Sequence, residues 1–258
     1  MLRQRILSAL VLAPIAIGAV WAGSWAFVAL AAVAGGLLAW EWTRLCCGRF
    51  GNAGVLLVAM AVLVAVLGHL APLGAFLVIA LVLCAIPMVD RAKSAATAWM
   101  IAGVIYIGLP CLALVWLREQ GRETLFWLLC VVWATDIGAY AAGRTIGGPK
   151  LMPSVSPKKT WAGLLGGIFS AAVVGAVTGL LTDVSPSGVA EVSGGVAVLA
   201  QAGDLAESWV KRHFGVKDSS TIIPGHGGVL DRLDGLLSTA PLVAGICLTF
   251  GGGLPLWW

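Results

Sequence analysis

Residues 54–89 read GVLLVAMAVLVAVLGHLAPLGAFLVIALVLCAIPMV, thirty-six positions without one Asp, Glu, Lys or Arg. Two apolar runs, 54–70 and 73–89, lie either side of a short turn, and each approaches the roughly 20 residues that a helix needs to cross a bilayer. Similar stretches recur at about 6–22, 24–40, 96–117, 124–142, 161–182, 189–203 and 236–256. None shows the ten-residue in–out alternation of a membrane barrel, so the spans are helical. Composition agrees: 60% of residues are hydrophobic, 11% are charged and the mean hydropathy is +0.98, whereas soluble domains carry roughly 25% charge. The expected fold is all-α, a polytopic membrane helix bundle with about nine transmembrane helices. The eighth span is the shortest, because Glu191 and paired glycines interrupt it.

Charge placement orients these spans. With nine spans and a cytoplasmic N-terminus, the inside segments hold Arg3, Arg5, Arg44, Arg49, Arg91, Lys93, Arg144, Lys150, Lys158, Lys159, Lys211, Arg212, Lys217 and Arg232. Only Arg118 and Arg122 fall outside, which is the asymmetry that sets topology in membrane proteins. Residues 1–22 also have the basic-then-apolar order of a signal peptide, but the many later spans favour a first transmembrane helix. The six cysteines lack metal-ligand spacing and read as small core residues. Tryptophans near span ends suit the interfacial belt. Residues 1–95 are expected to form an N-terminal scaffold of about four helices, and residues 96–258 a catalytic region whose polar site faces the cytoplasm. No nucleic-acid partner is expected.

Within this oily chain, residues 200–235 (AQAGDLAESWVKRHFGVKDSSTIIPGHGGVLDRLDG) hold nine of the 28 Asp, Glu, Lys and Arg residues. A charge at bilayer depth costs roughly 2.5–3.5 kcal/mol even on the mildest insertion scale, so such a cluster must be paired, metal-bound or ligand-bound. Gln201, Asp204, Ser208 and Lys211 follow one another at steps of three and four, with Glu207 beside them, so one helix face presents two carboxylates and an amine. A glycine-rich bend containing His226 then leads to Asp231 and Asp234, one helical turn apart. Hard oxygen donors without nearby cysteine point to Mg²⁺, with phosphate as its companion. His226 reads equally as a structural hydrogen bonder or a participant.

Upstream, Asp136, Tyr140 and Arg144 are spaced by four, so one helix face can carry all three. The Asp136 carboxylate is either a salt-bridge partner or part of the site. In the loop at 143–167, Ser156 fits a helix N-cap and Pro157 the first helical position, which puts Lys158 and Lys159 in a first turn that disfavours cations. An anion bound there would resolve that conflict. The other reading is a basic loop against lipid headgroups.

The run SWVKRHFGVKDSSTIIPGHGGVLDRLD, residues 208–234, resembles the signature of the phosphatidate cytidylyltransferases, or CDP-diacylglycerol synthases. It carries Ser208, Lys211, Arg212, Lys217, Asp218, Ser220, Ile223, Pro224, His226, Gly227, Gly228, Asp231, Arg232 and Asp234 at the signature positions. The segments QAGDLAES, SPKKTW and DIGAYAAGR are similar to that family too, so the likeness covers residues 130–235. The family commonly has a basic residue where Gly148 stands and Glu or Gln where Ala162 stands, and Lys158 falls at a variable position.

The resemblance implies that CTP and phosphatidic acid give CDP-diacylglycerol and pyrophosphate in a membrane enzyme needing Mg²⁺, with a second cation open. It implies Asp204 and Asp231 as primary metal ligands, supported by Asp234 and Glu207. Lys159, Lys211, Arg212, Lys217 and Arg232 would hold the triphosphate and the lipid phosphate. Ser156, Lys158, Thr160, Ser208, His226, Gly227 and Gly228 would line the substrates, and Asp136, Asp218 and Arg144 would be supporting charges. A homodimer is compatible with the resemblance. The rivals are a CTP-dependent lipid kinase acting on a polyprenol, which the full signature disfavours, and a cation-coupled transporter, which has no use for a glycine-rich bend flanked by Lys and Arg.

Overall fold

The structure, a computed structural model, describes residues 2–89 and 95–254. Arg91 and Lys93, assigned to an inside loop by their charge, lie outside the described residues together with Asp90. The chain forms helices α1 (Leu2–Ala22), α2 (Ser24–Cys47), α3 (Asn52–Leu70), α4 (Pro72–Val89), α5 (Ala95–Glu119) and α6 (Arg122–Thr145), then strands β1 (Lys150–Met152) and β2 (Ser156–Thr160), then α7 (Trp161–Leu181), α8 (Pro186–His213) and α9 (Leu230–Thr249). Among the described residues, six helices, α2 to α7, are long and apolar enough to cross a membrane. The protein is therefore a helical integral membrane protein. Two of the remaining helices carry the polar machinery: α8 holds Glu191, Asp204, Glu207, Lys211 and Arg212, and α9 starts with Asp231, Arg232 and Asp234.

The chain divides into two compact units, Met1–Glu119 with Phe214–Leu233, and Gln120–His213 with Asp234–Trp258. In the first, α2, α3, α4 and α5 pack together and α1 lies against α2. Trp42 anchors this core: its indole N–H donates to the Trp99 carbonyl at 2.9 Å, its ring lies 5.2 Å from that of Tyr106, and Gly103 admits it where a Cβ would collide. At one end of the bundle, the Arg118 Nε donates to the Val20 carbonyl (2.6 Å) and His69 Nδ1 meets the Glu119 carboxylate (3.0 Å). These bonds tie the last turns of α1 and α3 to the end of α5. The segment 214–233 lies at the opposite end, where Phe214 packs edge-on against Trp99 and the Pro224 carbonyl accepts from Ser8 Oγ.

In the second unit α7 lies between α6 and α8. Its buried positions are Gly163, Gly167, Ala171, Gly175 and Gly179, all one turn apart. Small residues on this stripe let backbones approach closely, which is how apolar helices associate where no hydrophobic drive separates helix from lipid. An added Cβ at Gly167 would sit 2.7 Å from Gln201 Nε2 of α8 and 3.0 Å from the Thr135 carbonyl of α6. The opposite side of α7 exposes Leu165, Phe169, Val173, Val177 and Leu180. Buried Trp127 of α6 donates to Ser193 Oγ of α8 at 3.0 Å.

One local expectation is corrected. Ser156 is not a helix cap: it begins β2, which pairs antiparallel with β1. The cap is Thr160, whose hydroxyl accepts from the Gly163 N–H at 3.1 Å, and the helix starts at Trp161. Lys158 and Lys159 therefore stand on a strand, where neighbouring side chains point to opposite faces. Lys158 is exposed and Lys159 is partly buried.

Candidate active site

In the second unit, α8 and the start of α9 bring three carboxylates together. Asp204, Glu207 and Asp234 each offer one oxygen, and the three oxygens lie within 4.8 Å of one another. Gly203 makes the approach possible: a Cβ there would collide with Ser238 and crowd the Asp234 carbonyl. Gly235 does the same toward Val132 of α6. Asp204 is the most open of the three, whereas Glu207 is only 2% exposed. The charges of Asp204, Asp136 and Lys211 all bear on Asp234.

Cations offset this crowding. Lys159 reaches from β2 to place its Nζ 2.6 Å from Asp204 Oδ2 and 3.5 Å from the Gln201 carbonyl. Lys211 lies 3.1 Å from Glu207 one turn along α8 and is itself buried. Ser208 Oγ donates to Asp204 Oδ1 at 3.3 Å, and Gln201 donates to the Leu164 carbonyl of α7 at 3.2 Å. The donor set is all oxygen, three like charges converge, and the counter-charges ride on flexible stems. Such a set fits Mg²⁺, which binds through a few carboxylates and keeps its remaining positions for water and substrate phosphate.

Lys217, Asp218, His226, Gly227, Gly228, Asp231 and Arg232 belong to the first unit, on the segment after α8 and the first turn of α9. Asp231, read from the sequence as a primary metal ligand, uses Oδ2 to accept from Gly228 N (2.7 Å), Ser219 N (2.9 Å) and Ser219 Oγ (3.0 Å). The bend is closed by Ile223 N donating to the Gly227 carbonyl and by Arg232 Nε donating to the His226 carbonyl (3.1 Å). Gly227 has φ +82°, so its left-handed conformation accounts for the glycine. Gly228 is required for a different reason: a Cβ there would strike Ser219 Oγ and stand 2.5 Å from Glu41. Lys217, Asp218 and Arg232 are exposed, as is Arg212 at the end of α8.

Two local features stand out on the second unit. Arg144 donates to the Tyr140 hydroxyl at 2.6 Å, as their four-residue spacing implies. Gly148, where the family commonly has a basic residue, has φ +89°, a conformation that side chains rarely adopt. Sequence reasoning missed Glu41 and Ser219. Glu41 is an isolated acid within α2, and the signal available was that a membrane-embedded carboxylate needs a partner.

The profile of the cytidylyltransferase family matches residues 3–250. The chain belongs to that family. It is a nucleotide-transferring membrane enzyme, and the carboxylate cluster and basic residues just described lie in the matched region. Among curated relatives, a phosphatidate cytidylyltransferase of Brucella suis biovar 1 is 42% identical over 254 residues, covering 94% of this chain and 92% of the relative. One from Pseudomonas aeruginosa is 38% identical over 274 residues, covering 99% and 100%. Another, from Rickettsia bellii, is 40% identical across 56% of this chain.

Proposed function

We propose that the protein transfers the cytidylyl group of CTP to phosphatidic acid, giving CDP-diacylglycerol and pyrophosphate for phospholipid synthesis. An oxygen of the lipid phosphate forms a bond to the α-phosphorus of CTP as the bond to the β-phosphate oxygen breaks and pyrophosphate leaves. Both reactants are anions, so the protein's task is to position them and to offset charge. The observation that carries this reading is the convergence of Asp204, Glu207 and Asp234 beside Lys159 and Lys211 in a chain of this family.

Asp204, Glu207 and Asp234 would hold Mg²⁺. When bound, that ion neutralises phosphate charge and renders the α-phosphorus more electrophilic. Lys159 and Lys211, released from their carboxylates, can turn to phosphate oxygens. The resemblance adds Lys217, Arg212 and Arg232 as cations for the triphosphate and the lipid phosphate, while Ser208 orients Asp204. Phosphatidate is already ionised near neutral pH, so no protein base is required. Incorporation of labelled CTP into detergent-extracted lipid in the presence of phosphatidate and Mg²⁺ tests the reaction. With the label in the cytidine, absence of labelled lipid would overturn it, and so would transfer of a γ-phosphate label to a polyprenol in a parallel assay.

The reading extends to topology. We place α1, α8 and α9 across the bilayer with the other six helices, with the N-terminus and residues 150 and 217 in the cytoplasm. Two supports are the charge asymmetry and the position of segment 214–233 at the end of the first unit opposite Arg118. Cysteines placed at 150 and 217 should label from the cytoplasm and one at 120 from outside. Labelling of 217 from outside only would reverse the arrangement.

A further inference from the structure

Glu41 sits in α2, nearly 180 residues from the signature segment, and its side chain is fully buried. Burying a carboxylate is strongly unfavourable unless donors satisfy it. Here four do. Oε1 accepts from Ser220 Oγ at 2.6 Å and from Val229 N at 2.9 Å, while Oε2 accepts from Leu230 N at 2.7 Å and lies 3.1 Å from Ser219 Oγ. The two amides belong to the start of α9, whose first N–H groups have no partner within the helix. A negative charge there also complements the helix dipole. The Ser219 hydroxyl has a single proton and stands within 3.1 Å of both Glu41 and Asp231, so the two acids share one donor.

We propose that Glu41 is a positioning residue for the transfer reaction: its carboxylate clamps both ends of the 219–230 bend and so sets the conformation of the segment that carries Lys217, Asp218, His226, Asp231 and Arg232. The inference deepens the proposed function and rests on it for the chemistry. Both oxygens are needed, because Val229 N and Leu230 N approach different ones. In Glu41→Gln one of those amides faces an NH₂ group and loses its acceptor. The glycine at 228 belongs to the same device, since any side chain there would displace the carboxylate.

Hydrogen exchange and kinetics on the full-length protein in detergent test this together. In Glu41→Gln, exchange across residues 226–232 should accelerate while the amides of Leu236 and Leu237 keep their protection. The value of kcat/KM for CTP should drop about tenfold or more. Glu41→Asp, which keeps two acceptors, should fall between Gln and wild type. Unchanged exchange, wild-type kcat/KM in Glu41→Gln, or Asp worse than Gln would each overturn the proposal. If Glu41→Gln does not fold, Ser219→Ala/Ser220→Ala removes two of the four donors and leaves the charge. A loss of about fivefold supports the clamp and wild-type kinetics overturn it. Exchange is read without substrate, so it reports on Glu41 whichever nucleotide or lipid is turned over. A wild-type protein that makes no lipid from labelled CTP counts against the reaction alone.

Discussion

Glu41 and Glu207 are carboxylates of equal size and almost equal burial, 0% and 2% exposed, yet their surroundings differ in kind. Glu41 is met by backbone N–H groups and short hydroxyls, dipoles fixed by the chain that cannot withdraw. Glu207 is met by the ammonium of Lys211 and crowded by Asp204 and Asp234. An ammonium on a four-carbon stem can swing away and leave the carboxylates to another cation, whereas a helix N-terminus cannot. Burial alone does not separate an acid held by fixed dipoles from one held by a mobile cation. What separates them is whether the counter-charge is replaceable.

That contrast can be broken most directly at the replaceable end. Asp204→Asn should lower turnover more than about a hundredfold and raise the Mg²⁺ concentration needed for half-maximal activity, because a neutral amide is a poor ligand for a hard cation. A magnesium titration of the purified variant reads both, and an unchanged titration would remove Asp204 from the metal site. Lys159→Ala should cost about tenfold to a hundredfold, the usual loss for one charged hydrogen bond. Titrating CTP and phosphatidate separately in mixed micelles shows which anion Lys159 holds, and flat results in both would make it only a partner of Asp204. At the fixed end, Gly228→Ala forces a methyl against Ser219 and Glu41, an overpacking that typically costs about 1–3 kcal/mol. Activity should fall about tenfold with a lower thermal midpoint, and a variant indistinguishable in both would mean that the clamp yields easily. Smallest of all, Ser208→Ala removes one long hydrogen bond to Asp204 and should cost less than about fivefold in kcat.

The membrane helices were legible because lipid demands long uncharged runs, and residues 54–89 provide two without interruption. The Asp204–Glu207–Lys211 stripe was legible as well, since helical spacing puts such residues side by side on α8. The β1–β2 hairpin was not. Ser156 followed by Pro157 imitates a cap and first helical residue, and that signal masked Thr160, itself a favoured cap residue that accepts from the Gly163 N–H. The partners of Glu41 were hidden for another reason: they lie 178 to 189 residues away, and no periodicity joins two segments that meet only after folding. The sequence thus read well along regular helical spacing, and poorly where two cap candidates stood close together or where partners met only after folding.

The glycine stripe of α7 has a consequence for anyone wishing to stabilise this protein. Replacing helical glycine by alanine ordinarily helps, by up to about 1 kcal/mol per site. At Gly166, Gly167 and Gly175 of α7, and at Gly138 of α6 opposite them, however, the added methyl would enter a neighbouring helix. Gly195 of α8 and Gly245 of α9 are different, because an added Cβ there meets nothing within 4 Å. Thermostabilising libraries should therefore be opened at 195 and 245 and closed along α7, where each alanine would act as a wedge between helices.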